Sequence, residues 1–228
     1  MRLTVLGCYG GIGGARRTTA LLFEEDIQLD VGSGVGDLTL ERMAKVNDVF
    51  LTHSHLDHSG FLPLLADAAG FMRHDPLNVH ALPETIAALK NNMFNGVLWP
   101  DYSALPSPDH PYIRFIPLPC GATVQLGERR ITSLPARHAV PCAGYCVDSG
   151  DGSFVYSGDT TDCEAFWAAL NSIDNLRYLM IETTFLNEAG ELARVSGHLT
   201  AGSLARGLAR LQRPVQLYIA HMEPGKEE

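Results

Sequence analysis

The chain has 228 residues, 46% of them hydrophobic, enough for one substantial core and too few for two generous ones, so a single domain spanning 1–228 is the default. Lys and Arg number 17 against 26 Asp and Glu, a formal charge of −9, which argues against a nucleic-acid polymer as partner: Arg16-Arg17 and Arg129-Arg130 are only doublets, and phosphate backbones need clustered cations. No stretch approaches the ~18 apolar residues of a membrane span, residues 1–14 lack a signal-like layout, and Cys8, Cys120, Cys142, Cys146 and Cys163 form no CxxC pair; a cytoplasmic, reducing location without a membrane partner is the expectation.

Short β-like runs at 3–6, 20–23, 27–30 and 49–51 crowd the first quarter and suggest a meander. Gly10-Gly11-Ile12-Gly13-Gly14 has neither the Gly-Lys-Ser/Thr ending of a phosphate loop nor dinucleotide-type spacing into a helix. It is expected to be a permissive turn that lets backbone approach a neighbouring strand or a site, and the run from Asp30 to Gly34 is treated alike.

Directly after the fourth run comes Thr52-His53-Ser54-His55-Leu56-Asp57-His58-Ser59-Gly60, three imidazoles and a carboxylate within six positions. Residues at i and i+2 of an extended strand end point to one side, so His53 and His55 can grip one ion. Asp57 and His58 follow where the chain turns and can reach a second. Polar groups this dense, between a buried strand and the apolar stretch 61–65, would be costly to bury unpaired.

Helical spacing follows at 62–69 and 84–93, with a strand at 79–81 between them. The Pro-rich stretch 95–119 has no clean period before Ile113 and suits either a lid or a surface connection whose aromatics pack down. Beyond it, β-like segments recur at 131–134, 144–147, 153–156, 178–181 and 215–220, with helices at 164–170 and 201–211. Helices covering a layered sheet core make the fold class α/β. A dinuclear site needs further donors, and three stand at ends of later strands: His138, Asp159 and His221.

This pattern resembles the metallo-β-lactamase superfamily, whose first motif His53, His55, Asp57 and His58 match residue for residue, with the likeness covering essentially the whole chain. The resemblance implies an αββα four-layer sandwich, His53, His55 and His138 on one metal, Asp57, His58 and His221 on the other, and Asp159 bridging. Within the superfamily, Ile181-Glu182-Thr183-Thr184-Phe185, Gly197-His198-Leu199-Thr200 and Ile219-Ala220-His221-Met222-Glu223-Pro224 look like class II 3',5'-cyclic-nucleotide phosphodiesterases. Ser59 before Gly60, and Met222-Glu223 in place of an aliphatic-Lys pair, depart from that subfamily.

The activity implied is hydrolysis of cAMP or cGMP to the 5'-nucleotide, with Asp57, Glu182 and His198 as catalytic groups. His198 would be the general acid, and Glu182 would accept from its second ring nitrogen. Two divalent ions are the expected cofactors, zinc first, with manganese or iron also suited to His/Asp donors. Tyr9, Phe94, Trp99 and Tyr102 are candidates for stacking on the base, while His74, His80 and His110 have no motif around them and are expected to be structural or solvent-exposed. The family resemblance also suggests a homodimer. Two other readings share the ligand set: a tRNA 3'-end endonuclease, opposed by the acidic composition and the short interval from His138 to Asp159, and a non-hydrolytic diiron redox or oxygen sensor.

Overall fold

A computed structural model describes residues 1–226, which divide into two compact units: Met1–Cys8 with Ile12–Leu118, and Tyr9–Gly11 with the chain from Pro119 onward. The first is built on a six-stranded sheet. Its strands are β1 (Leu3–Gly7), β2 (Ala20–Phe23), β3 (Ile27–Leu29), β4 (Asp48–Phe50) and β5 (Leu77–Ala81), with β8 (Ile113–Pro117) at the far edge. A two-stranded hairpin, β6 (Pro106–Ser107) and β7 (His110–Pro111), stands apart from it.

Pairing is antiparallel from β1 to β3 and parallel from β3 to β8. The switch follows from the connections, since tight turns can only reverse a strand whereas helical crossovers return it in the same direction. The crossovers contain α1 (Leu40–Met43), α2 (Leu56–Ser59), α3 (Leu62–Gly70) and α4 (Pro83–Asn92). Helix α3 buries Leu62, Leu65, Ala66 and Ala69, spaced i, i+3, i+4, i+7, and the first three join Val49, Leu51 and Val79 in the core. Each buried Leu there contributes about 1.5–3 kcal/mol.

In the second unit the order is β14-β13-β12-β11-β10-β9. These are β9 (Thr123–Leu126), β10 (Arg129–Pro135), β11 (Ala143–Asp148), β12 (Ser153–Tyr156), β13 (Leu176–Glu182) and β14 (Gln216–Ala220). Strands β9 to β12 form an antiparallel meander, and β12 to β14 are parallel. Helices α5 (Glu164–Asn171) and α7 (Ala201–Leu208) seal the sheet with Phe166, Trp167, Leu170 and Leu204 against Val155, Leu179 and Ile181, while α6 (Gly190–Ser196) lies between β13 and α7 in the chain.

Most expected elements appear within one or two residues of their expected ends. The helix expected over 201–211 stops at Leu208, ahead of Pro214. Strands β8 and β9 were not anticipated. Both are edge strands with partly exposed faces, so neither carries a continuous apolar run, and Pro117 is tolerated at such an edge.

The 95–119 stretch behaves as the surface connection. Tyr102 sits in the first unit's core with Phe94 and Ile113, its hydroxyl donating to Asp67. Among the described residues no helix is long and apolar enough to cross a membrane. The thiols differ in access: Cys120 is exposed, whereas burial pushes the Cys146 thiol up to about 11. A thiol reagent at pH about 8 should therefore modify Cys120 well before Cys146. Peptide mass mapping checks this, and faster labelling of Cys146 would contradict the assigned packing.

Candidate metal centre

In the first unit β3 and β4 run parallel with Leu29 opposite Phe50, so the segments following them leave the sheet at one edge. This edge position, at the carboxyl ends of parallel strands, is where open α/β sheets present ligand-binding groups. His53 and His55 were expected on an extended strand end. The strand stops at Phe50 instead, and both lie on the loop leading into α2, with His55 as its N-cap. They still converge, His53 Nε2 lying 3.1 Å from His55 Nδ1. The single turn of α2 then brings Asp57 Oδ2 to 3.4 Å from His58 Nε2. One segment thus presents two donor pairs.

What holds these rings is Asp30, fully buried just beyond β3. Its Oδ1 accepts from the Thr52 N–H at 2.8 Å and its Oδ2 meets His58 Nδ1 at 2.7 Å. The Thr52 hydroxyl lies 2.9 Å from Asp30 Oδ2 and 3.0 Å from His53 Nδ1. Its single proton goes to the carboxylate, so its oxygen accepts from the His53 Nδ1–H. Both His53 and His58 therefore carry the proton on Nδ1, with Nε2 left as donor to a metal.

Burial pushes the Asp30 carboxyl above its usual range; the His58 ring and the Thr52 bonds pull the other way. Asp30 also holds a left-handed φ of 53°, which a non-glycine residue adopts only where its surroundings enforce it. Gly32, two residues on, has no room for a side chain, because a Cβ would collide with the Asp57 carbonyl and the Thr18 hydroxyl.

In the second unit β10 runs in the same direction as β12, both being antiparallel to β11, and β13 and β14 run parallel to β12. His138, Asp159 and His221 therefore all follow strands that end at one edge. Asp159 Oδ2 lies 3.4 Å from His221 Nε2 and 3.8 Å from His138 Nε2, a carboxylate flanked by two imidazole nitrogens. His138 Nδ1 donates to the Gly197 carbonyl at 3.1 Å, which again leaves Nε2 as the donor. His221 has a left-handed φ of 60°. The Gly10 N–H donates to the Met222 carbonyl at 3.0 Å, and a Cβ at Gly10 would stand 2.9 Å from the His221 ring. The glycine run thus serves as the expected close approach.

The Gly-His-Leu-Thr element resolves into four local roles. Gly197, with φ 79°, ends α6, Leu199 is buried, and Thr200 caps α7 by accepting from the Ser203 N–H at 3.2 Å. Between them His198 Nδ1 meets Glu182 Oε1 at 2.8 Å, as expected from sequence. Glu182 is fully buried at the end of β13 and also accepts from the N–H groups of Thr160, Thr184 and Leu199 at 2.9, 3.2 and 3.1 Å. The His198 side chain keeps 12% of its surface open and stacks on His221 with ring centres 5.3 Å apart.

Four aromatics were expected to stack on a base. Phe94 and Tyr102, 2% and 8% exposed, are instead core residues of the first unit, and Trp99 packs against that core, because rings of this size bury more apolar area than a short loop can leave open. Tyr9 bridges to Met222 beside His221. His74 and His110 are exposed, and His80 is buried, stacked on Phe50 and 2.8 Å from Asp48, so all three fall outside the donor sets. Asp30, Thr52 and the Gly197 carbonyl escaped sequence reasoning. The one available signal was an Asp directly ending an apolar run, the same signal that marked other donors. Imidazole nitrogen and carboxylate oxygen, with ring tautomers held by fixed partners, form a donor chemistry that fits a divalent ion of the zinc, manganese or iron type.

A family model described as a beta-lactamase superfamily domain matches residues 35–222. Over 208 residues the chain is 24% identical to a probable 3',5'-cyclic-nucleotide phosphodiesterase of Yersinia pestis, covering 80% of this chain and 59% of that protein. It is 29% identical over 140 residues to the ribonuclease Z of Pyrococcus abyssi, 57% of this chain and 41% of that one. The chain thus spans about half the length of these relatives. Among solved structures, the metallo-beta-lactamase fold protein YhfI of Bacillus subtilis superposes with a TM-score of 0.74 at 21% identity, over 97% of this chain and 85% of that one. Unliganded yeast PDE1 gives 0.80 at 15% identity, over 98% and 88%.

Proposed function

We propose that this chain, which belongs to the beta-lactamase superfamily and has the metallo-β-lactamase fold of a hydrolase, opens 3',5'-cyclic nucleotides to 5'-nucleotides. The observation that carries the proposal is the His198–Glu182 pair, an imidazole whose Nδ1 is tied at 2.8 Å to a fully buried carboxylate. A ribose 3' alkoxide is a poor leaving group, and such a pair supplies the proton it needs.

In this reading the chain is a single αββα domain. His53, His55 and His138 would hold one ion and Asp57, His58 and His221 the other, with Asp159 available to both. When bound, the ions, zinc first or manganese or iron, would supply a water made acidic enough to ionise near neutral pH, and would neutralise charge on the phosphate. The Asp57 carboxylate, 29% exposed, is the group that would take the proton given up by such a water. His198, entering the step protonated on both ring nitrogens, delivers its Nε2 proton to the departing 3' oxygen, while its Nδ1–H stays on the ring and donates to Glu182. The substrate is a small cyclic nucleotide, taken up without a membrane or a nucleic-acid polymer as partner.

The ribonuclease Z likeness raises a polymer substrate as the competitor. Between His138 and Asp159 lie β11 and β12, joined by the four residues 149–152, so no inserted arm for clamping tRNA is found there. After reconstitution with zinc, manganese or iron, the protein should turn over cAMP or cGMP, with cyclic dinucleotides and precursor tRNA assayed beside them. Cleavage of precursor tRNA with no turnover of any cyclic nucleotide would sink the assignment.

A further inference from the structure

We infer that Thr184 is a positioning residue that sets the tautomer of His221, making one carboxylate, Glu182, the common anchor of the proposed acid and of a proposed metal ligand. This rests on the ligand assignment for His221 made above. The Thr184 hydroxyl lies 2.9 Å from Glu182 Oε2, 2.9 Å from His221 Nδ1 and 3.1 Å from His198 Nδ1. A hydroxyl has one proton and two lone pairs, and a carboxylate only accepts. The proton therefore goes to Glu182 in a charge-assisted bond, and the oxygen is left to accept. His198 Nδ1 is closer to Glu182 Oε1, at 2.8 Å, and gives its hydrogen there. The remaining donor is His221, which must carry its proton on Nδ1 and turn Nε2 outward as a lone pair.

Without that hydroxyl the opposite tautomer has a waiting acceptor, since Asp159 Oδ2 is 3.4 Å from His221 Nε2. A proton on Nε2 would occupy the nitrogen a metal needs. Thr184 thus acts against a specific competing arrangement. The first unit contains the same construction independently: Asp30 holds His58 directly and His53 through the Thr52 hydroxyl. In both units a buried carboxylate grips one imidazole itself and a second through a threonine.

The test uses the metal-free 228-residue chain at pH about 8, where an ordinary imidazole is neutral, with 15N-labelled histidine. Long-range proton–nitrogen correlation shows which ring nitrogen is protonated, and the His221 signals are identified by their loss in His221→Gln. Wild type and Thr184→Ser should show Nδ1–H, whereas Thr184→Val, which keeps the shape and loses the oxygen, should shift toward Nε2–H. An Nε2–H tautomer in the wild type, readable whether or not Thr184→Val folds, or an unchanged tautomer in folded Thr184→Val, overturns the inference. Competition against a chelator should show metal affinity about 10- to 100-fold weaker in Thr184→Val and restored in Thr184→Ser. Should His221 not be a ligand, the tautomer shift will persist while Thr184→Val binds metal as tightly as wild type, which supports the Thr184 bond and overturns the role of His221.

Discussion

Replacing His198 with alanine is expected to lower turnover of a cyclic nucleotide by about 10²- to 10⁴-fold, the usual contribution of a positioned general acid, or about 3–5 kcal/mol of barrier. Metal content should remain at the wild-type level. His198 shares its Glu182 anchor with Thr184, but truncating its ring leaves the Glu182–Thr184 and Thr184–His221 bonds intact. Steady-state kcat, read with elemental analysis of the same preparation, separates the two effects. Unchanged kcat would remove His198 from the proton transfer, and loss of metal together with activity would make it a ligand instead.

Glu182→Ala should cost stability as well as turnover, lowering the unfolding free energy by about 3 kcal/mol or more. The carboxylate is fully buried and receives three backbone N–H groups, from Thr160, Thr184 and Leu199, besides the Thr184 hydroxyl. Each buried donor left without an acceptor costs about 1–3 kcal/mol, and water entering the vacated space recovers part of that. Urea unfolding of the metal-free protein measures the difference directly. A loss under about 1 kcal/mol would mean that these donors find other partners and that the network is not anchored on Glu182. Asp30→Ala should behave alike in the first unit, where Asp30 accepts from the Thr52 N–H and hydroxyl and pairs with His58.

The candidate donors stand out in the sequence because their signals are local. Four of them fall in one nine-residue run after an apolar strand, and His138, Asp159 and His221 each come within a few residues of the end of a β-like run. Sheet strands buried on both faces read as continuous apolar stretches, as β2 and β12 do, and their ends are marked by the first polar residues. Helix α3 declared itself through its i, i+3, i+4, i+7 spacing. Edge strands β8 and β9 did not, since a strand exposed on one side and unpaired at its edge needs no such pattern.

Aromatic residues proved a weak guide to a binding site. Phe94 and Tyr102 have the chemistry for stacking on a base, but the same surface is worth more in a core, and nothing local distinguishes the two uses.

The chain's own order of residues therefore determined the α/β class, most element positions and the candidate donors proposed for a metal, because burial periodicity and clustered metal-type side chains are properties of short segments. Only tertiary structure decided which groups hold the donors in place. Asp30 reaches His58 across 28 positions and Thr184 reaches His221 across 37. Such partners are chosen by strand order, β3 beside β4 and β13 beside β14, and a hydrogen bond needs its acceptor within about 3 Å, a proximity that pairing across the sheet creates and no local pattern encodes.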